Sequence, residues 1–176
     1  MSDRPVLYVI GTAAPPVRDL ANACRLVTAA GWQPYVTLTP TAAGWVDIDE
    51  LVRVTGHPVR VEPRRPGESD PFPPTVAVLA APLTFNTINK WAAGVSDTVA
   101  LGLLNELLSA GPTIIAAPCV KPVLRAHPAY EPSVRILRSA GVQFVADAGE
   151  VRGSDGLVTF DWNRVVQQLS RATRAA

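Results

Sequence analysis

Cysteine is nearly absent from this chain: Cys24 and Cys119 are the only two in 176 residues. Two cysteines cannot build a disulfide framework, and these two have no metal-ligand spacing, so a reducing, cytoplasmic setting is the expectation. An excess of one charge is also missing. Sixteen Lys and Arg against fifteen Asp and Glu leave a net charge of +1, which gives no electrostatic reason to expect nucleic acid or an anionic membrane as partner. No apolar run approaches the roughly 20 residues of a membrane span. The run Val6 to Ile10 is too short for the core of a signal peptide. Internal repeats are lacking, and so is low complexity beyond a proline-rich stretch at 63–74. What remains is 48% apolar and 18% charged, a globular composition of a length that suits one domain over 1–176, closed by a helix over 160–176.

The apolar residues that are present fall into a repeating order. Val6-Leu7-Tyr8-Val9-Ile10 is continuous up to Gly11, as in a strand buried on both faces of a parallel sheet. Val17, Leu20, Ala21, Cys24 and Val27 then repeat at helical spacing. Pro15 and Pro16 stand in the first turn, where N–H groups lack intrahelical partners anyway. After Gly31, the run Tyr35 to Thr39 reads as a second strand, completing a βαβ unit that predicts a parallel, right-handed pair. The order continues with a short helix at 46–54, a strand at 75–80, a long helix at 84–109 and a strand at 113–117. A helix at 132–140, a short strand at 142–145 and a polar-faced helix at 161–174 follow. The fold class is α/β: three layers around a doubly wound, mostly parallel sheet of Rossmann-like flavoprotein type.

A sheet of this kind binds ligands beyond the carboxyl ends of its strands, which directs attention to four loops. They are Gly11-Thr12-Ala13-Ala14, Thr39-Pro40-Thr41-Ala42, Ala81 to Thr87, and Ala117-Pro118-Cys119-Val120-Lys121. Small polar side chains and free N–H groups at helix starts suit a phosphate monoester. Neither a Walker sequence nor G-x-G-x-x-G is present, which turns the reading away from ATP and dinucleotides. Threonine after a strand is also an ordinary helix cap, and for Thr12 and Thr41 capping competes with ligand binding. Asn86 and Thr87 stand apart, since Thr84 already supplies a cap.

The segment Pro82-Leu83-Thr84-Phe85-Asn86-Thr87-Ile88-Asn89-Lys90-Trp91-Ala92-Ala93-Gly94-Val95-Ser96-Asp97 resembles the signature of the homo-oligomeric flavin-containing cysteine decarboxylases. That family includes phosphopantothenoylcysteine decarboxylase and the peptidyl-cysteine decarboxylases of lanthipeptide pathways. Gly11 to Ala14 and Leu38 to Ala42 resemble its other two loops, and the register runs from about residue 5 to residue 145. The resemblance implies FMN held by Gly11, Thr12, Thr39, Thr41, Thr84, Phe85, Asn86, Thr87 and Ala117. It also implies a homotrimer or larger homo-oligomer, and oxidation of a cysteine thiol by the flavin with loss of the neighbouring carboxylate.

The chain departs from that family at three places. No histidine stands in Glu68 to Pro74, before the third strand. The family's P-x-M-N reads Pro118-Cys119-Val120-Lys121, and lysine cannot both donate and accept as an amide does. The substrate-clamp segment is not evident in Asp147 to Gly156, a glycine-rich charged stretch that suits a mobile loop or a surface hairpin. The candidates for chemistry are then Lys121, Cys119 and His57, with His127 as a further one. Two functional classes stay open. One is an FMN-dependent decarboxylase (a lyase) or related oxidoreductase acting on a small or peptidyl substrate. The other is a catalytically degenerate flavin-binding scaffold or regulatory subunit. A prenyl-FMN-type transferase would need a basic pocket for a second phosphate, for which Arg64 and Arg65 are the available residues.

Overall fold

In an extended chain successive side chains point to opposite faces, so a continuous apolar run can be buried only where both faces are covered. The computed structural model, which describes residues 4–153 and 156–174, shows that arrangement. Strands β1 (Val6–Gly11), β2 (Gln33–Leu38), β3 (Ala77–Leu83), β4 (Thr113–Pro118) and β5 (Gln143–Phe144) form one sheet in the order β2-β1-β3-β4-β5. Every pairing in it is parallel. The helices are α1 (Leu20–Ala29), α2 (Pro40–Ala43), α3 (Ile48–Thr55), α4 (Phe85–Ala92), α5 (Val99–Ala110), α6 (Pro122–Arg125), α7 (Tyr130–Ser139) and α8 (Trp162–Arg174). A 3-10 turn over Pro15–Asp19 leads into α1.

The sheet sorts its own side chains. Leu7, Val9, Leu79 and Ile115 pack with Cys24 and Val27 of α1, Leu51 of α3 and Val165 of α8 in one buried cluster. Tyr8, Ile10, Val78 and Ala116 pack with Trp91 of α4, Leu104 of α5 and Leu137 of α7 in the other. Each fully buried Leu or Ile contributes about 1.5–3 kcal/mol from removal of apolar area, so both layers are held by the same alternation. The outer edge of β2 is also covered. Leu38 N–H donates to Arg60 O at 2.9 Å and Arg60 N–H to Val36 O at 2.9 Å, pairing that edge with the passing chain.

The long helix expected over 84–109 is two helices. Gly94 adopts φ +72°, a left-handed conformation that glycine takes without strain, and it closes α4. Thr98 then caps a new helix by accepting Leu101 N–H at 3.2 Å. Lys90 pairs with Asp97 across the break, and Asn105 Nδ2 donates to Val95 O at 3.0 Å, so the turn is tied down. β3 also runs three residues past the expected 80, through Ala81, Pro82 and Leu83. The stretch after Asp147 contains a small antiparallel hairpin, β6 (Val151–Arg152) with β7 (Val158–Thr159). Ser154 and Asp155 of that stretch, and Ala175 and Ala176 of the expected final helix, lie outside the described residues.

Among the described residues no helix is long and apolar enough to cross a membrane, and no group of three or more His, Cys, Asp or Glu is placed to hold a metal ion.

Candidate functional site

The strand order reverses direction between β1 and β3, and such a switch point opens a crevice beyond the carboxyl ends of the strands. A cleft of about 480 Å³ lies there. The loop after β1 supplies Ala13, Ala14 and Pro15, the loop after β3 supplies Thr84, Phe85 and Asn86, and the loop after β4 supplies Cys119, Val120 and Lys121. Leu124, Glu150 and Val158 complete the wall. Most of the lining is apolar, and Thr84, Asn86, Lys121 and Glu150 are its polar side chains.

Thr12 is the junction of the first and third loops. It is 1% exposed, its hydroxyl donates to Pro82 O at 2.8 Å and accepts Thr84 N–H at 3.0 Å, and its own N–H donates to Pro82 O at 3.0 Å. These bonds hold the loop after β3 against β1 and occupy the hydroxyl. Thr84 caps α4, accepting Thr87 N–H at 3.2 Å, and its hydroxyl lies 3.0 Å from that of Thr87, which is buried. The three threonines thus shape the loop from inside. Phe85 and Asn86, whose N–H groups in the first turn of α4 have no partner within a helix, line the cleft, and Asn86 is exposed.

The other expected cofactor residues are placed as follows. Gly11 is buried under its neighbours: a Cβ there would lie 2.8 Å from Leu38 Cδ2 and 3.1 Å from Val17 Cγ2. It lets the chain after β1 approach β2 and α1, and its contacts are with the core. Thr39 caps α2, accepting Ala42 N–H at 3.4 Å, and its N–H donates to Gly11 O at 3.1 Å. Thr41 is exposed on α2. Ala117 is fully buried in the cluster with α1 and α8, so its methyl does not reach the cleft.

Of the candidates for chemistry, the cleft brings together Lys121 and Cys119 and leaves out His57. His57 stacks on Tyr35 with ring centroids 4.0 Å apart, and its Nε2 lies 2.9 Å from Gln33 Nε2. Gln33 opens β2, so His57 sits at the amino edge of the sheet, roughly 16 Å from the carboxyl edge at about 3.3 Å per residue. The reason is topological: a crossover helix returns the chain to the amino edge, and His57 directly follows α3. Burial lowers its pKa. His127 is exposed and edge-on to Phe85, with ring centroids 5.3 Å apart. Its Nδ1 accepts Ala129 N–H at 3.1 Å, which leaves the proton on Nε2 in the neutral ring.

Lys121 is not among the groups that shift the Cys119 thiol. Burial, and then the Glu150 carboxylate, push that thiol up to about 11 against the opposing pull of Arg125. Cys119 at neutral pH is therefore a thiol and not a thiolate. Cys24 lies in the core as expected from its helical face, its thiol pushed up to about 12 by burial. Trp91 is 1% exposed and packs in the core cluster of α4, α5 and α7.

Of the basic pair considered for a second phosphate, Arg64 is engaged by a carboxylate and Arg65 does not line the cavity beside it. Arg64 and Arg60 both reach Asp70 Oδ2, at 3.2 Å and 3.3 Å, and the cavity of about 440 Å³ beside them also presents Glu62, Asp97 and Glu106. Sequence reasoning missed Leu124, Glu150 and Val158 as part of the wall: Leu124 and Val158 stand in no motif, and Glu150 lies in a stretch read for its glycine content and charge.

Comparison with known proteins identifies the family and the fold. The family model described as Flavoprotein matches residues 36–172. A curated cysteine/cysteine sulfinic acid decarboxylase from an unknown prokaryotic organism is 41% identical over 63 residues, which is 36% of this chain and 17% of that protein. The matched segment is thus a small part of the relative's length. Among solved structures, a PPC decarboxylase mutant complexed with pantothenoylaminoethenethiol superposes with a TM-score of 0.77 at 14% identity, covering 97% of this chain and 99% of that one. The FMN binding protein AtHal3 gives 0.76 at 14% identity, covering 98% of each chain. The cypemycin decarboxylase CypD gives 0.74 at 17% identity, covering 99% of this chain and 96% of that one. At these identities the likeness to the solved structures is one of fold.

Proposed function

Because the chain belongs to the flavoprotein family, we propose that the cleft beyond β1, β3 and β4 binds FMN and serves flavin-dependent oxidation, with decarboxylation, of a small or peptidyl substrate. The observation that carries this reading is the composition of the cleft. Its apolar walls, Phe85, Val120, Leu124 and Val158, suit a planar aromatic ring, and its polar end at the start of α4 suits a phosphate or the polar edge of that ring. The donor set fits the group: the Phe85 and Asn86 N–H groups and the Asn86 amide would hold it, with Thr41 on the next loop within the same row of strand ends. Bound FMN would supply a two-electron acceptor to chemistry that amino-acid side chains cannot perform. The residues of this chain bind and orient around it. Thr12 fixes the α4 start, Lys121 offers a cation to a substrate carboxylate, and Cys119 stays protonated beside them.

A homotrimer or larger homo-oligomer belongs to the same reading, supported by exposed apolar side chains such as Val123 (74%) and Ile136 (55%) on α6 and α7. Light scattering on the eluting protein tests it. A second reading, a flavin-binding scaffold without turnover, is favoured by one observation: no histidine lines the cleft and its cysteine is not ionised.

The experiment is the absorption spectrum of the purified protein with mass spectrometry of the released cofactor, followed by incubation with cysteine and cysteine-ended peptides. Flavin bands, an FMN mass and carbon dioxide release support the enzyme. Flavin bands without turnover on any of these substrates support the scaffold. A colourless protein that also fails to take up added FMN overturns both.

A further inference from the structure

The cleft presents two opposite charges that its apolar lining does not employ. Lys121, exposed at the N-cap of α6, makes no side-chain capping bond, and among the described residues its ammonium has no hydrogen-bond or ion-pair partner. Glu150 reaches the same cleft from the segment before β6. Its Oε1 meets Arg125 Nη2 at 3.4 Å, and Arg125 is itself held by Nε donating to Val120 O at 3.0 Å. Arg125 and Glu150 also share a neighbouring cavity of about 310 Å³, which Lys121 does not line. Arg125 thus braces Glu150 from outside the cleft, and the second carboxylate oxygen, Oε2, has no partner among the described residues. Glu150 and Cys119 line the same cleft, and the Glu150 carboxylate helps to hold the thiol protonated.

A substrate bound beside FMN in this cleft meets one cation and one anion on apolar surroundings. A simple carboxylate would pair with Lys121 and face Glu150 as a like charge. A simple amine would do the reverse. Excluding water from the cleft sharpens both terms, because charges left unpaired there are desolvated without compensation. A molecule with both charges satisfies both residues. We propose that the cleft selects a free α-amino acid or another small zwitterion, its carboxylate on Lys121 and its ammonium on Glu150, with Arg125 as the residue that positions Glu150. The inference rests on the cleft being the substrate site of the proposed function. It separates a free amino acid from a peptidyl substrate, whose terminal residue has no ammonium.

The test uses three thioether probes that carry no free thiol: S-methyl-L-cysteine, 3-(methylthio)propanoate, which lacks the ammonium, and 2-(methylthio)ethylamine, which lacks the carboxylate. Calorimetric titrations are run into protein with and without bound FMN, after FMN uptake has been measured by absorbance. The zwitterion is expected to bind at least about tenfold more tightly than either truncated probe. Glu150→Gln should bring it down to the level of the acid without weakening the acid, and Lys121→Met should bring it down to the level of the amine. Glu150→Asp, which keeps the charge, should retain the preference and controls for loss of the brace to Arg125. Equal binding of acid and zwitterion, an unchanged ranking in Glu150→Gln, or no binding of any probe overturns the inference. Failure to take up FMN is read in the first step and counts against the proposed function instead.

Discussion

Replacing Thr12 by valine keeps the shape of the side chain and removes its hydrogen bonds, so the structure makes a quantitative statement about it. Two bonds are lost, the donation to Pro82 O at 2.8 Å and the acceptance from Thr84 N–H at 3.0 Å. They are not equivalent. Pro82 O keeps the Thr12 N–H at 3.0 Å, whereas Thr84 N–H loses its partner against a side chain that is 1% exposed. An N–H left without an acceptor in such a place costs about 1–3 kcal/mol, and about 2 kcal/mol is the expected destabilisation. For a chain of this size that is a fall of roughly 4–8 °C in Tm. Differential scanning calorimetry of wild type, Thr12→Val and Thr12→Ser, each without FMN, measures it, and the serine variant should stay close to wild type because it keeps both bonds. The same loop presents the N–H groups of Phe85 and Asn86, so FMN affinity should weaken on the order of tenfold in the valine variant, equivalent to about 1.4 kcal/mol. A valine variant melting within about 1 °C of wild type would refute the reasoning, since 2 kcal/mol cannot hide in so small a shift.

Three further outcomes follow from placement. Gly11→Ala puts a methyl 2.8 Å from Leu38 Cδ2 inside the core and is expected to destabilise by about 1–3 kcal/mol, seen as a lower midpoint in urea with an unchanged slope. His57→Ala removes the stack on Tyr35 and should cost about 0.5–1.5 kcal/mol in thermal stability, with FMN binding and any turnover left as in wild type; a loss of turnover at unchanged FMN affinity would count against the assignment of His57 to the amino edge of the sheet. The Cys119 thiol, held at about 11 in the fold against about 8.5 in an unfolded chain, keeps a proton there that the unfolded chain gives up between those values. Its contribution to stability is therefore complete below about pH 8.5 and lost as pH rises through the folded value, so Cys119→Ser should flatten the alkaline fall in Tm, and iodoacetamide should label Cys119 slowly at neutral pH.

The sheet was legible because its signal is crude and repeated. Five runs of apolar residues, each ended by a turn residue, leave few topologies open once parallel crossovers must be right-handed. The boundaries were less legible where two signals competed. In 84–109 the apolar spacing continues across Val95, so periodicity alone reads one helix; the glycine at 94 and the Thr98 cap decide for two. β3 hid its last three residues because Pro82 looks like a loop residue, yet a proline is tolerated at a strand end where its missing N–H is not needed by the ladder.

The site divides along a different line. Strand-end loops are readable because topology puts them at one edge, and the three loops after β1, β3 and β4 do meet in one cleft. Which atom of a loop faces the cleft is decided by hydrogen bonds that sequence does not display. A threonine hydroxyl has one proton to give and two sites to accept at, and the backbone takes different shares of them: Thr12 donates its proton to Pro82 O, whereas Thr39 and Thr84 each accept a capping N–H. Asn86 could be separated from them on sequence grounds alone, because α4 needs only one cap and Thr84 precedes it. The same logic fails for Glu150, whose carboxylate meets Arg125, 25 residues away in sequence but 3.4 Å away in space. The residues most exposed to misreading are thus those whose partner lies in another loop, and a motif can mark where such a site is without saying which of its side chains are left to touch a ligand.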